Sequence, residues 1–434
     1  MPSNKNTGAR YFGVRLYSVL LYVMMPLILL YLWWHGRNNL AYRHRMKERF
    51  CSQQIDKKWR GAIVFHCVSV GEFIAARPLI DIFVNDESGR PVAITCMTPT
   101  ASELIQKVYG DRVYHCYIPF DTPRAIKRFY ARLQPSALVI LETELWPNLV
   151  LYGRQQNIPV AVVNGRMSAQ SARGYTRMEW LFKPVWGALN YCGAQSQTAA
   201  ERFLDIGVTE HALEVSGNLK FDISISDNVL ADIDSYRELF GDRPIITAGS
   251  THDGEETEIL AAFEKVLQVK PKALLIMVPR HQERFAAVAG LIKQRNLRMV
   301  QRSSGRPITA DTQVLLADTM GELLLWYGVC KVAFVGGSLI ERGGHNPLEV
   351  IAFAKPLISG RHTFNFSEIY NQLDSRQAVR WVHSADSLAD TLIGLLTTIE
   401  TAERISRDAQ RVFAEHSGAG QRIYVRIQQL LSAS

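Results

Sequence analysis

Glu72 is the first side chain placed to move a proton. It closes Ser69-Val70-Gly71-Glu72, directly after the apolar run from Gly61 to Cys67. A strand that hands over to a helix exposes such a carboxylate at the carboxyl edge of a sheet, where it can act as a general base. The position equally suits an ordinary acid in a helix's first turn, favoured by the helix dipole. A second acidic segment, Leu141-Glu142-Thr143-Glu144-Leu145-Trp146-Pro147-Asn148, also follows an apolar strand. Two carboxylates beside a hydrophobic strand end are costly unless cations or hydroxyls partner them.

Cations and phosphate-binding turns follow. Gly217-Asn218-Leu219-Lys220-Phe221-Asp222 offers Lys220 as a point charge for a phosphate, although a surface lysine is the commoner outcome. Val278-Pro279-Arg280-His281 ends a strand, where Arg280 can grip a phosphate or carboxylate with two hydrogen bonds; His281 alone is more often structural than chemical. Three further segments suit a nucleotide. Asp318-Thr319-Met320-Gly321-Glu322-Leu323 reads as a cap opening a helix, Phe334-Val335-Gly336-Gly337-Ser338 as a strand running into glycines, and Gly343-Gly344-His345-Asn346-Pro347-Leu348-Glu349 as a helix start with proline in its first turn. Backbone N–H groups at helix starts bind phosphate without a metal. Glu349 can accept hydrogen bonds from a ribose diol, while paired glycines also serve tight turns. The sequence has no P-loop and no Gly-x-Gly-x-x-Gly after the first strand. Asp232-Ile233-Asp234 does not follow a strand, which argues against a metal-dependent DxD transferase. Charge neutralisation then falls to Lys220, Arg280 and helix dipoles.

These residues need elements to hold them. Apolar β-rich runs alternate with helix-length amphipathic segments, the pattern of βαβ units and a parallel sheet. The alternation stops in a polar stretch from Ser224 to Arg243 and restarts at Pro244. The expected division is a membrane anchor and basic collar over 1–50, a first Rossmann-like α/β domain over 51–222, a linker over 223–243 and a second Rossmann-like domain over 244–434. The 434 residues have room for two such α/β domains, doubly wound and facing a cleft at the carboxyl ends of their strands. With 47% hydrophobic and 21% charged residues, neither a disordered chain nor a polytopic membrane protein fits. The net charge of +8 favours an acidic partner, whether nucleic acid, anionic lipid or a phosphorylated substrate, without choosing among them; a merely solvated basic surface is the bland alternative. Six cysteines without CxxC spacing indicate a reducing compartment and no zinc site.

Residues 16–34 carry no charge, and a run of about 18 or more apolar residues can cross a bilayer as a helix. Tyr11, Phe12, Tyr31, Trp33 and Trp34 sit near its ends, where aromatic rings prefer the headgroup layer, and Pro26 suggests a kink. Arg37, Arg43, Arg45, Lys47 and Arg49 outnumber Lys5, Arg10 and Arg15, so the positive-inside rule puts the body in the cytoplasm and the N-terminus outside. A monotopic hairpin or interfacial helix is the rival arrangement. A cleavable signal peptide fits poorly, since no small-x-small site follows the run.

Taken together, SVGE, TPT at 98–100, ETELWPN, SGNLKFD, VPRH, DTMGEL, FVGGS and ERGGHNPLE resemble the 3-deoxy-D-manno-octulosonic acid (Kdo) transferases of Gram-negative bacteria. The resemblance spans the chain. It implies a GT-B architecture of two Rossmann-like domains, and an inverting transfer from CMP-Kdo to the tetraacylated lipid A precursor (lipid IVA) in lipopolysaccharide biosynthesis. It further implies an inner-membrane location among anionic lipids, with no cofactor and no nucleic acid. Carried residue by residue, the family's general base falls on Glu72 and its transition-state stabilising positions on Glu142 and Lys220. Its CMP contacts fall on Arg280, His281, Gly321, Glu322, Leu323, Asn346, Pro347, Leu348 and Glu349. Two alternatives stay open: another metal-independent GT-B enzyme with a UDP donor, and a membrane-tethered binding protein that has lost catalysis. Intact Glu72, Glu142, Lys220 and Arg280 speak against the second.

Overall fold

The computed structural model describes residues 11–37, 40–223 and 225–433. Lys5, Arg10 and Ser224 lie outside them. The chain divides into two compact units. One runs up to Asp222 and resumes over Ser417–Ser434; the other is Ile223–His416.

Among the described residues fourteen strands form two parallel sheets of seven, so the α/β doubly wound expectation holds in each unit. The first sheet has the order β3-β2-β1-β4-β5-β6-β7. Its strands are β1 (Ile63–His66), β2 (Val92–Cys96), β3 (Tyr114–Tyr117), β4 (Ala137–Leu141), β5 (Val160–Gly165), β6 (Tyr191–Ala194) and β7 (Leu213–Val215). The second has the order β10-β11-β9-β8-β12-β13-β14. It comprises β8 (Ile245–Thr251), β9 (Leu274–Pro279), β10 (Met299–Gln301), β11 (Val314–Leu316), β12 (Val332–Val335), β13 (Leu357–Ser359) and β14 (Arg380–Trp381). Helices cover both faces of a parallel sheet, so its central strands read as unbroken apolar runs. β1, β4 and β9 are buried at every position. In each unit the chain first fills one side of its first strand, then crosses to that strand's other side, which puts a topological switch between β1 and β4 in one unit and between β8 and β12 in the other. At such a switch the connecting loops diverge and leave a crevice at the strands' carboxyl ends.

Two segments depart from the sequence division. The stretch read as a linker is largely a helix, Asp227–Phe240. Its Ile233 is buried in contact with Gly328, and the Tyr236 ring meets Trp326 at 5.1 Å. Asp232 and Asp234 lie on its exposed side. The last helix, Ala419–Ser432, belongs to the first unit rather than the second. Ala419, Ile423 and Ile427 are buried with Phe73 and Phe83 on one face of the first sheet, and the Asp222 carboxylate accepts from Gly418 N (2.6 Å) and Gly420 N at that helix's start.

Phe12–His35 is, among the described residues, the one helix long and apolar enough to cross a membrane. Of the basic collar after it, Arg49 is turned into the protein: it donates to Met97 O at 3.0 Å and lies over the Tyr117 ring. Arg45 binds Glu48 and Ser102 at 2.7 and 2.6 Å. Both are held by local partners, whereas Arg37 and Lys47 are exposed.

The returning helix makes a direct prediction. Ile423→Ala removes a fully buried side chain and should destabilise the first unit by about 2–5 kcal/mol. Urea unfolding followed by probes in each unit should show the first transition shifted and the second unchanged.

Candidate active site

In the first unit the acids converge at the switch. Glu72 sits in the opening turn of the Val70–Val84 helix after β1, and Glu142 immediately follows β4, the strand paired with β1. Ser69 caps the helix by accepting from Glu72 N, and the Glu72 carboxylate folds back to accept from Val68 N at 2.7 Å and from the Ser69 hydroxyl at 3.0 Å. This is the helix-capping role foreseen as the plain alternative, and it does not exhaust the side chain. Burial lifts the Glu72 carboxyl from 4.5 to about 7, against the two hydrogen bonds and with added repulsion from Glu142 and Glu144. A carboxyl so poised can gain or lose a proton near neutrality. Glu142 holds φ at +56°, a left-handed conformation costly for a residue with a side chain, and its N–H is fixed by Val163 O at 2.9 Å.

The turn bearing Lys220 is a short 3-10 helix, Leu219–Phe221, packed against the Glu72 helix. The Asn218 side chain accepts from Lys220 N, and the Oδ1 of buried Asn164, itself at φ +55°, accepts from Leu219 N, both at 3.0 Å. One side chain without a foreseen role joins this group. His66, the last residue of β1, is fully buried, contacts Thr95 Oγ1 at 3.0 Å through Nδ1 and meets the Trp146 ring edge-on at 5.8 Å. Burial lowers its pKa to about 4, so the ring is neutral, and its Nε2 has no partner among the described residues.

In the second unit Arg280 follows β9, with its N–H bound to Thr251 O at 3.0 Å, and its charge acts on His252, His345 and Glu349. His252 stacks on His345 at 5.0 Å and meets His281 at 5.3 Å. Burial and the neighbouring cations push His345 down to about 4. Burial raises Glu349 to about 7, opposed by a hydrogen bond from Asn346 and by Arg280. Asn346 Oδ1 accepts from Leu348 N at 3.2 Å, which tightens the turn through Pro347. The four-residue helix Leu348–Ile351 packs on Leu323–Val329, the helix opened by Gly321 and Glu322. Glu322 itself is engaged by Arg302 at 3.0 Å and by the Thr319 hydroxyl.

The switch of this sheet is held by Glu255, which the motif reading missed. Its fully buried carboxylate accepts from Gly337 N (2.6 Å), Ser338 N (2.9 Å), Leu339 N (2.9 Å) and His252 N (3.1 Å). Gly336 is required by contact: a Cβ there would lie 2.4 Å from Ser250 O. The signal was in the sequence, since the strand ending at Thr251 runs straight into His252 and Glu255.

The family model described as 3-deoxy-D-manno-octulosonic-acid transferase (kdotransferase) matches residues 44–223. A 3-deoxy-D-manno-octulosonic acid transferase of Haemophilus influenzae is 40% identical over 94% of this chain and 96% of its own length. One from Bordetella pertussis is 30% identical over 94% of this chain and 97% of its own. Among solved structures, a UDP-GlcNAc 2-epimerase of Neisseria meningitidis bound to UDP-GlcNAc aligns with 86% of this chain and 100% of its own, with a TM-score of 0.55 at 12% identity, a likeness of fold alone.

The raised carboxyl of Glu72 predicts a stability signature. A folded-state value of about 7 against an ordinary 4.5 means that its contribution is fully present below about 4.5 and lost as pH rises to 7. Glu72→Gln keeps an acceptor for Val68 N–H without the charge, so its unfolding midpoint should match wild type at pH 4 and exceed it at pH 8. Equal midpoints at pH 8 would contradict the burial argument.

Proposed function

The chain belongs to the 3-deoxy-D-manno-octulosonic acid transferase family of glycosyltransferases, and from that premise we propose that it moves Kdo from CMP-Kdo to the lipid A precursor with inversion and without a metal. The observation that carries the chemical reading is the Glu72 carboxyl, poised near neutrality at the switch of the first sheet beside Glu142 and Glu144.

In this reading Glu72 accepts the proton of the acceptor's primary hydroxyl as that oxygen bonds to the anomeric carbon of Kdo. The bond from that carbon to the CMP phosphate breaks, and CMP leaves with the electron pair. Arg280 neutralises the phosphate, supported by the backbone N–H groups of the turns at Gly321 and Asn346. Lys220 and Glu142 stabilise the charges that develop in the transition state, positive at the anomeric carbon for Glu142. Glu349, drawn toward its protonated form by burial, faces the ribose hydroxyls, and His281 lines the same site. His345 stays neutral and can pack or hydrogen-bond without adding charge.

The acceptor is amphiphilic, and the apolar Phe12–His35 helix supplies a tether to the leaflet that holds it. We place the enzyme at the bacterial inner membrane with the catalytic body in the cytoplasm, Arg37 and Lys47 remaining for anionic headgroups. The residues assigned to donor binding all lie in the second unit, and the acids assigned to proton transfer in the first.

Three measurements test this. Calorimetry should show CMP binding and no UDP binding; the reverse would favour a UDP-sugar enzyme on the same fold. Glu72→Ala should abolish transfer to the lipid A precursor while leaving CMP affinity near wild type, and near-normal turnover removes the base assignment. Arg280→Ala, which takes away a charge-assisted contact, should weaken CMP binding by about 1.5–3 kcal/mol.

A further inference from the structure

The apolar helix is not a free tether. Val14 joins the hydrophobic core of the first unit, with Tyr11 and Tyr17 packed against it. Gly13 lies so close to Trp180 that a Cβ would sit 2.5 Å from the ring. Ser18 is only 8% exposed, although it lies in a helix most of whose side chains face outward. Its hydroxyl accepts from Asn148 Nδ2 at 3.0 Å. Tyr17 hydrogen-bonds the buried carboxylate of Asp121, which also accepts from Asn148 N (2.9 Å) and Leu149 N (2.8 Å).

The chain that leaves the helix returns to the same place. Arg43 reaches back to Trp33 O at 2.7 Å, and His35 meets Tyr42 at 6.0 Å between ring centres. Phe120 N then donates to Arg49 O at 2.8 Å, and the Phe50 and Phe120 rings lie 5.3 Å apart. Residues 17 and 49 are therefore pinned to Asp121 and Phe120, neighbours in one loop.

Two further features fit this hairpin. A stripe of buried and half-buried side chains runs along the helix at three- and four-residue spacings, through Val14, Ser18, Leu21, Met25, Ile28, Leu32 and His35. A helix crossing lipid away from its own body would be exposed all round. Beyond Ser18 the helix has about 17 residues, or about 25 Å at ~1.5 Å per residue, short of the ~30 Å hydrocarbon core.

We propose that this helix is monotopic: it enters and leaves the lipid from the face that carries the catalytic body, so the N-terminus lies on that same face instead of across the membrane. The proposal rests on the lipid-tether reading above and replaces the outside N-terminus expected from charge counting. In that arrangement the broad exposed face, with Leu20, Val23, Leu27 and Leu30, meets acyl chains while the covered stripe keeps its protein contacts. Tyr17 and Ser18, polar side chains in an apolar segment, are spent on protein partners and do not meet lipid.

The test uses the full chain, whose six cysteines are all buried, carrying either Ser3→Cys or Glu87→Cys, the second on an exposed loop of the first unit. A membrane-impermeant maleimide is applied to right-side-out and inside-out vesicles. Both positions should label in inside-out vesicles and neither in right-side-out ones. Labelling of position 3 from the opposite side to position 87 overturns the proposal and leaves the tether reading standing. Release of the chain from vesicles by alkaline carbonate overturns both.

Discussion

A carboxylate kept from water at the end of a parallel strand is the constraint around which the first unit is arranged. β1 cannot end in solvent, because its neighbours β2 and β4 and the covering helices leave it buried throughout. Its successor Glu72 is therefore drawn partly into the protein, where the ionised form is disfavoured. Two hydrogen bonds, from Val68 N and the Ser69 hydroxyl, recover part of that cost, while Glu142 and Glu144 add to it. The result is a carboxyl whose proton is loosely decided. That indecision is useful for proton transfer, and it costs folding stability at neutral pH.

The second unit applies the same topology to the opposite end. Glu255, like Glu72, is buried near the switch of a parallel sheet, and burial again raises its pKa. Four backbone N–H groups converge on it, against one backbone N–H and one hydroxyl on Glu72. An acid saturated by amides from the loop after β12 acts as a rivet for that loop. The number of donors thus separates an acid available for chemistry from one consumed by architecture, although both follow apolar strands in the sequence. Riveting matters because the same loop leads to His345, Asn346 and Glu349, and it runs so close to Ser250 O that residue 336 has no room for a Cβ.

The sheets were legible because parallel strands buried on both faces are written as unbroken apolar runs, and the acids were legible because they directly follow such runs. What local pattern could not carry is long-range return. Ile423 and Ile427 have the spacing of any amphipathic helix, and nothing near them indicates that the partner is Phe83, more than three hundred residues earlier. The Asp227–Phe240 helix escaped for a related reason: few of its side chains are buried, so its composition reads as a polar connector. Charge counting also treats Arg45 and Arg49 as solvent-facing, whereas Tyr117, Ser102 and Met97 O hold them. His66 carried no motif at all; its surroundings come from Thr95 and Trp146 on separate strands and loops.

The return of the last helix also bears on Lys220. A lysine on a short turn has several rotatable bonds and contributes little to catalysis unless its backbone is fixed. Here three polar side chains fix it: Asn164 holds Leu219 N, Asn218 holds Lys220 N, and Asp222 clasps Gly418 N and Gly420 N at the head of the final helix. Leu219 is buried in the same cluster as Ile423 and Phe73, so the turn is clamped between the Glu72 helix and the chain's last helix. The carboxyl-terminal segment, far from Lys220 in sequence, therefore belongs to the support of the first unit, and its placement there gives the lysine's long, flexible side chain a fixed backbone to start from.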